Sequence, residues 1–325
     1  MQRLTELDNK IPVCELYVNT LNQLSKVIDM QRKNHRNFDI IIDFEDGVGI
    51  DDKTIHVNSL LDLAQSISKD IRFGIRVVSS TSKYLKVQLK QIIKKLSHNL
   101  SYITLPKVQN KNDIDSVMNI INEYQDKSDF GKRIKIHALV EDQIGIKNID
   151  SIASHPNVEA LAFGIIDFVE SHDGVIDYKS VLSPGQFEHE LIKNAKIILS
   201  SAAARYKKIA THNVCFNIKN IQQIKDDAHI AYTKYGFSRM ISIHPAQIDP
   251  ILAGFSLSDN YIEEAFEIIR LAESKNWKPI MHKGLFYDLP SYKFYIKKLS
   301  HQLYINPESR DRIQSFFQTI DISKI

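Results

Sequence analysis

Eight short apolar runs, rich in β-branched and aromatic residues and separated by helix-sized stretches, constrain this chain more than any other feature. They read CELYVN (14–19), FDIIIDF (38–44), RFGIRVV (72–78), YITLPKV (102–108), IKIHALVE (134–141), VEALAFGII (158–166), HNVCFNI (212–218) and RMISIHP (239–245). Runs of this length and content read as strands. The segments between them are amphipathic; in NDIDSVMNIINEYQ, Ile114, Val117, Ile120 and Ile121 share one helical face. Apolar strands alternating with helices require a parallel sheet covered on both faces. Eight such units over residues 11–257 match the count and size of a (β/α)8 barrel. The rival, a doubly wound open sheet, normally carries a Gly-rich phosphate turn after its first strand, and YVNTLNQL stands there instead. The expected architecture is therefore α/β, a (β/α)8 TIM barrel.

Two stretches depart from the rhythm. A turn-rich segment with Gly174, Pro184 and Gly185 lengthens the sixth connection. Residues 258–325 follow the last strand as a small helical or lid subdomain, its helix DNYIEEAFEIIRLAE opened by Ser258 or Asp259 as N-cap. No internal repeat or low-complexity tract is present.

Composition excludes several classes. Lys plus Arg number 42 against 39 Asp plus Glu, a formal charge of +3, too weak a bias for nucleic acid binding. No run approaches the roughly 20 apolar residues that span a bilayer, and MQRLTELDNK lacks a secretory h-region. A soluble, cytoplasmic protein is expected. Cys14 and Cys215, both in apolar runs, read as buried thiols.

A barrel of this kind places its site at the C-terminal strand ends. Those ends supply Asp43, Glu45 and Asp46; Arg76; Lys107; Glu141; Asp167; Asn217; and His244. Glu141 and Asp167, ending adjacent strands, would repel unless a proton or a cation joins them. Oxygen ligands without Cys or His favour Mg2+, with Mn2+ possible, over zinc, and leave positions for water and substrate oxygens. Arg76 can bind a substrate carboxylate bidentately or neutralise the acids beside it. By alternation Asp43 and Glu45 share a face while Asp46 lies in the loop, which suits the three to hydrogen bonds with metal-bound water. Lys107 could be a Schiff-base nucleophile, but neighbouring acids should raise its pKa, so an electrostatic or structural role is favoured. His244 before Pro245 suits a rigid turn as well as a site.

Together IIDFEDGV with Lys53 seven residues after Asp46, GIRV, LPKV, ALVEDQIG, AFGIIDF and GFSRMISIHPAQI…AGFSLS resemble the citrate lyase beta-subunit and malyl-CoA lyase family, over about residues 13–300. The resemblance implies Mg2+ on Glu141 and Asp167, a substrate carboxylate on Arg76, and a match at Tyr17. It further implies a 2-keto acid and an acyl-CoA or acyl-carrier thioester as partners, and a homotrimer or hexamer. In its CoA-lyase branch an Asp in a G-x-M-I-D-x-P stretch acts as acid/base over a neighbouring subunit's site; GLFYDLP puts Asp288 there, with Gly284 and Pro290 retained. Departures are Val18-Asn19-Thr20 for V-P-G, Leu24 for a basic residue, Val78 for Asn in R-V-N, Arg239-Met240 for G-K, and Lys196 for Arg. The implied activity is Mg2+-dependent carbon–carbon cleavage or condensation of a malyl-, citramalyl- or citryl-thioester type. The alternatives are a thioesterase of the same family and a non-catalytic keto-acid and metal-binding barrel.

Overall fold

The structure, a computed structural model, describes residues 11–34, 38–45, 53–125, 134–305 and 307–324. Strands β1 (Cys14–Val18), β2 (Phe38–Asp43), β3 (Phe73–Arg76), β4 (Tyr102–Leu105), β5 (Lys135–Val140), β6 (Val158–Phe163), β7 (Ile209–His212) and β8 (Arg239–Ser242) form a closed barrel in sequential order. β8 returns to β1 in parallel register, Met240 opposite Cys14. The expected (β/α)8 barrel is thus what forms, with both faces of each strand buried as a helix-covered parallel sheet demands.

The helices follow from local chemistry. Lys111–Tyr124 opens with a capping box, Asn110 accepting from the first turn while Asp113 reaches back, and it buries Ile114, Val117 and Ile121. Ile221–Tyr235 closes on Gly236 at φ +72°, a left-handed cap that suits glycine. Outward side chains such as Phe163 and Ile75 pack beneath the helices.

Strand positions differ from the sequence reading in three places. β7 spans Ile209–His212, earlier than the expected 212–218, so Asn217 ends no strand; His212 and Asn213 do. The apolar run Val214–Cys215–Phe216 suggested a strand, but it leaves the ladder after His212, and the backbone turns through the Asn217–Asn220 hydrogen bond. β6 stops at Phe163, so Asp167 stands in the first turn of helix Ile165–Glu170 rather than on a strand. β4 stops at Leu105, because Pro106 cannot donate to a ladder and Lys107 takes φ +54°.

Inside the barrel three layers stack. The floor is an ionic network: Arg239, fully buried, pairs with Asp39 and with Glu15 at 3.2 Å. Arg72 joins Asp39 and Glu159, and His137 contacts Glu159 at 2.8 Å while stacking on Tyr102 at 3.6 Å. Above it Leu139, Ala162, Val214 and Ile241 form an apolar layer, with Tyr17 and Phe216 against it. The polar mouth is the third.

The chain divides into two compact units, one running Val13–Gly254 and the other containing Phe255–Ile325. In the second, helix Asp259–Ser274 is N-capped by Ser258, which accepts from Tyr261. Helices Leu289–Ile305 and Pro307–Thr319 pack with it around Ile269, Leu299 and Ile313. It also holds an antiparallel hairpin, β9 (Ile280–His282) and β10 (Leu285–Tyr287), absent from the sequence reading. The short strands flank Lys283 and Gly284, both at positive φ, the two-residue geometry that closes tight hairpins. No helix among the described residues is long and apolar enough to cross a membrane. Both cysteines are free and buried.

Candidate active site at the barrel mouth

Glu141 follows β5 by one residue and is 4% exposed. Its Oε1 accepts the backbone N–H of Lys107 at 2.7 Å. Gly164, which precedes the helix bearing Asp167, lies so close that a Cβ there would sit 2.4 Å from Glu141 Oε2. Glycine at 164 is therefore a matter of space. Lys107 also reaches the second acid, its Nζ lying 2.9 Å from Asp167 Oδ1. One residue thus touches both carboxylates, one through its backbone and one through its side chain. Burial, reinforced by the charges of Asp167 and Glu45, pushes the Glu141 carboxyl well above its ordinary range. The hydrogen bond to Asp167 raises Lys107, against partial burial.

Arg76 ends β3 beside Asp43, its register partner at the end of β2. Nε and one Nη donate to the two Asp43 oxygens, each at 2.7 Å, and the other Nη lies 3.1 Å from Glu45 Oε2. Burial opposes the charge, but Asp43 and Glu45 overcome it and hold the guanidinium protonated above its ordinary range. The side chain is therefore oriented by a bidentate pair, and its charge is already shared with two acids. The Tyr17 ring lies 5.3 Å from that guanidinium. Its buried hydroxyl has no hydrogen-bond partner among the described residues, and burial, then Glu15, pushes it well above its usual range.

In this linked cluster four carboxylates (Asp43, Glu45, Glu141, Asp167) meet two cations (Arg76, Lys107), a formal excess of two negative charges. Among the described residues no three His, Cys, Asp or Glu side chains converge to hold a metal ion. The donor set is thus two carboxylates, one of them buried and under-compensated. Such a pair suits a hard divalent ion whose remaining positions go to water and substrate oxygens.

Asp46 falls outside the described residues. His244 caps a 3-10 turn, Nδ1 accepting from the Ala246 N–H. Asp288 belongs to the second unit, where Oδ1 accepts from the Ser291 hydroxyl at 3.1 Å and backbone N–H at 3.4 Å. Gly164 was not foreseen; its signal was the glycine in AFGIID, immediately before the acid-bearing turn. Nor was the floor network, although Glu15 stands two residues before Tyr17, and Asp39 and His137 four before Asp43 and Glu141, on the same inward faces.

Residues 24–245, more than half of the chain, match the family model described as HpcH/HpaI aldolase/citrate lyase. A malyl-CoA/beta-methylmalyl-CoA/citramalyl-CoA lyase from Chloroflexus aurantiacus is 26% identical over 129 residues, covering 39% of this chain and only 37% of that protein. A citrate lyase from Burkholderia xenovorans LB400 superposes with a TM-score of 0.81 at 29% identity, covering 96% of this chain and 95% of its own. CitE from Mycobacterium tuberculosis, solved with magnesium, acetoacetate and coenzyme A, shares the fold at a TM-score of 0.71 and 17% identity, over 90% of this chain and 98% of that one. The chain belongs to the HpcH/HpaI aldolase/citrate lyase family.

Proposed function

We propose that this protein is a Mg2+-dependent carbon–carbon lyase that splits, or forms, the bond joining the keto carbon of a 2-keto acid to the α-carbon of a thioester of malyl-, citramalyl- or citryl-type. The observation that carries the reading is the carboxylate pair Glu141 and Asp167, the first buried and under-compensated, sharing one barrel mouth with a guanidinium oriented by Asp43. Glu141 and Asp167 are the residues that would hold the ion. A bound Mg2+ supplies Lewis acidity toward the keto-acid carbonyl.

Arg76, fixed by Asp43 and Glu45, receives the keto acid's carboxylate and sets its orientation. The Tyr17 hydroxyl offers a donor to a substrate oxygen beside it. In the cleavage direction the substrate hydroxyl gives its proton to water at the open side of the mouth, the carbon–carbon bond breaks, and the electron pair passes to the thioester α-carbon. Asp288 of a neighbouring copy donates a proton to that carbon, and in condensation it removes one. The second unit exposes Met281, Leu285 and Phe286 near Asp288, an apolar surface suited to docking on another copy in a trimer or hexamer.

The test incubates the full chain with Mg2+, a keto acid (glyoxylate, pyruvate or oxaloacetate) and a panel of acyl-CoAs, following products by mass spectrometry. Glu141→Gln should abolish Mg2+-dependent turnover, and Asp288→Asn should lower it about 10²–10⁴-fold, the usual share of a general acid/base. Absence of product across the panel, or turnover indifferent to both substitutions, would refute the reading.

A further inference from the structure

Lys107 is peculiar among the mouth residues. It holds φ +54°, a left-handed conformation that a side chain with a Cβ adopts at a cost. Two bonds keep it there: its N–H on Glu141 Oε1 and the adjoining Val108 N–H on the Leu139 carbonyl at 3.2 Å. That strained turn fixes where the side chain starts, and from there its ammonium reaches Asp167 at 2.9 Å. The Lys107 side chain is 51% exposed and that of Asp167 36%, so the ion pair lies on an open side of the mouth and can open.

We infer that the Lys107 ammonium is a built-in rival of the divalent ion: paired with Asp167 it closes the metal-free site, and the metal binds by taking Asp167 from it. The inference rests on the metal reading above and concerns regulation of that same site. A divalent ion held by Asp167 at about 2.0–2.1 Å would stand where the ammonium approaches the carboxylate, and two cations cannot share that approach without repulsion. The flexible four-carbon stem gives the ammonium somewhere to go, and the backbone N–H stays on Glu141 whichever cation holds Asp167. Lys107 therefore keeps one metal-binding acid in place through its backbone while its side chain opposes the metal at the other. Metal occupancy would set whether a cation projects into the mouth.

The test titrates Mg2+ calorimetrically into chelator-stripped full-length protein: wild type, Lys107→Met, Lys107→Gly, Lys107→Arg and Glu141→Gln. Lys107→Met should bind Mg2+ about two- to fivefold more tightly, the range that an ion pair of this exposure can account for. Its metal-free form should melt at lower temperature, and its Mg2+-induced rise should be larger. Lys107→Gly relieves the backbone strain and still removes the ammonium, so it must tighten binding too; Lys107→Arg keeps a cation and should stay near wild type. A crystal structure with Mg2+ should show Nζ withdrawn from Asp167. Unchanged or weaker Mg2+ binding in both Lys107→Met and Lys107→Gly, or an intact Nζ contact beside bound Mg2+, overturns the inference while leaving the metal reading intact. Failure of wild type and both variants to bind Mg2+, with Glu141→Gln no different, overturns both.

Discussion

Replacing Gly164 with alanine tests the geometry of the mouth at its tightest point. The backbone there, φ −96° and ψ 91°, is open to any residue, so the substitution probes space and not torsion. A Cβ would meet Glu141 at 2.4 Å (Oε2), 2.8 Å (Cβ) and 3.0 Å (Cδ). All three atoms belong to one buried side chain, so Glu141 has to give way, and the bond it stands to lose is the 2.7 Å contact with the Lys107 N–H. A hydrogen bond to a charged group is worth about 1.5–3 kcal/mol, and overpacking costs about 1–3 kcal/mol. The two do not add, because moving Glu141 relieves one while forfeiting the other, so the net cost should be about 1.5–3 kcal/mol. At roughly 2–4 °C per kcal/mol for a unit of this size, the metal-free protein should melt about 3–12 °C lower. Mg2+ affinity should fall about 10- to 100-fold, the scale seen when groups orienting a metal ligand are disturbed. Thermal melts and calorimetric Mg2+ titration read both effects. A Gly164→Ala protein that binds Mg2+ within about threefold of wild type, a difference of under 1 kcal/mol, would show that Glu141 is not held where this reasoning needs it.

Arg76→Lys keeps the charge but loses the fork that Asp43 grips; keto-acid KM should rise about 10- to 100-fold with thioester KM little changed, and equal changes in both would refute its role on the keto-acid carboxylate. Arg239→Met strands Glu15 and Asp39 in the barrel floor and should destabilise by about 3–5 kcal/mol in denaturant melts; a loss under about 1 kcal/mol would mean the network is not electrostatically coupled. Burial holds fully buried Lys196 well below its ordinary value of 10.5. Its unfolded form therefore binds a proton that the folded form releases, and stability rises with pH from the depressed value up to about 10.5. Against Lys196→Met, wild type should gain up to about 1.4 kcal/mol per pH unit in that window, and a difference flat across pH 8–10 would refute this.

Most of the barrel is legible because burial on both faces forces nearly continuous apolar strands, and seven of the eight runs contain their strand. The seventh fails for a physical reason: VCF (214–216) is β-prone, with Val214 and Cys215 buried and Phe216 half-buried, yet it packs on the apolar layer after the ladder has ended at His212. Apolar content reports burial and cannot by itself report pairing. The site is legible to the extent that chemistry sits at strand ends. Asp43, Arg76 and Glu141 end or follow their strands; Asp167, the last residue of AFGIID, is expected at a strand end but rides on a helix turn. The pairing of Arg76 with Asp43 and Glu45 is one of the two roles its place among those acids offers, whereas Lys107 touching both acids and Gly164 against Glu141 are contacts that need three dimensions.

The same barrel interior holds acids with opposite fates, and the contrast separates scaffold from chemistry. In the floor, burial opposes ionisation of Glu159, yet His137 and Arg72 overcome it and hold the carboxyl down at about 2. Glu15 is likewise lowered against its burial, chiefly by Arg239. Arg72 stands beside Glu159 and Arg239 beside Glu15, and both carboxyls are held in the ionised form. At the mouth burial wins for Glu141: its neighbours are Asp167 and Glu45, the nearest ammonium is committed to Asp167, and Arg76 is shared between Asp43 and Glu45. Charge left uncompensated at the barrel mouth is costly, and it persists where something bound from outside supplies the missing cation. A floor acid neutralised by mutation together with its partner should leave turnover intact, whereas Glu141→Gln should raise the stability of the metal-free protein at neutral pH while abolishing Mg2+ binding. The stabilisation should fade on acidification toward the ordinary carboxylate range, since a group whose folded pKa is raised costs stability only above its unfolded value. Paired melts of wild type and Glu141→Gln between neutral and acid pH decide it; a substitution that destabilises the metal-free protein would mean that Glu141 is compensated after all, and that its place in the mouth is structural.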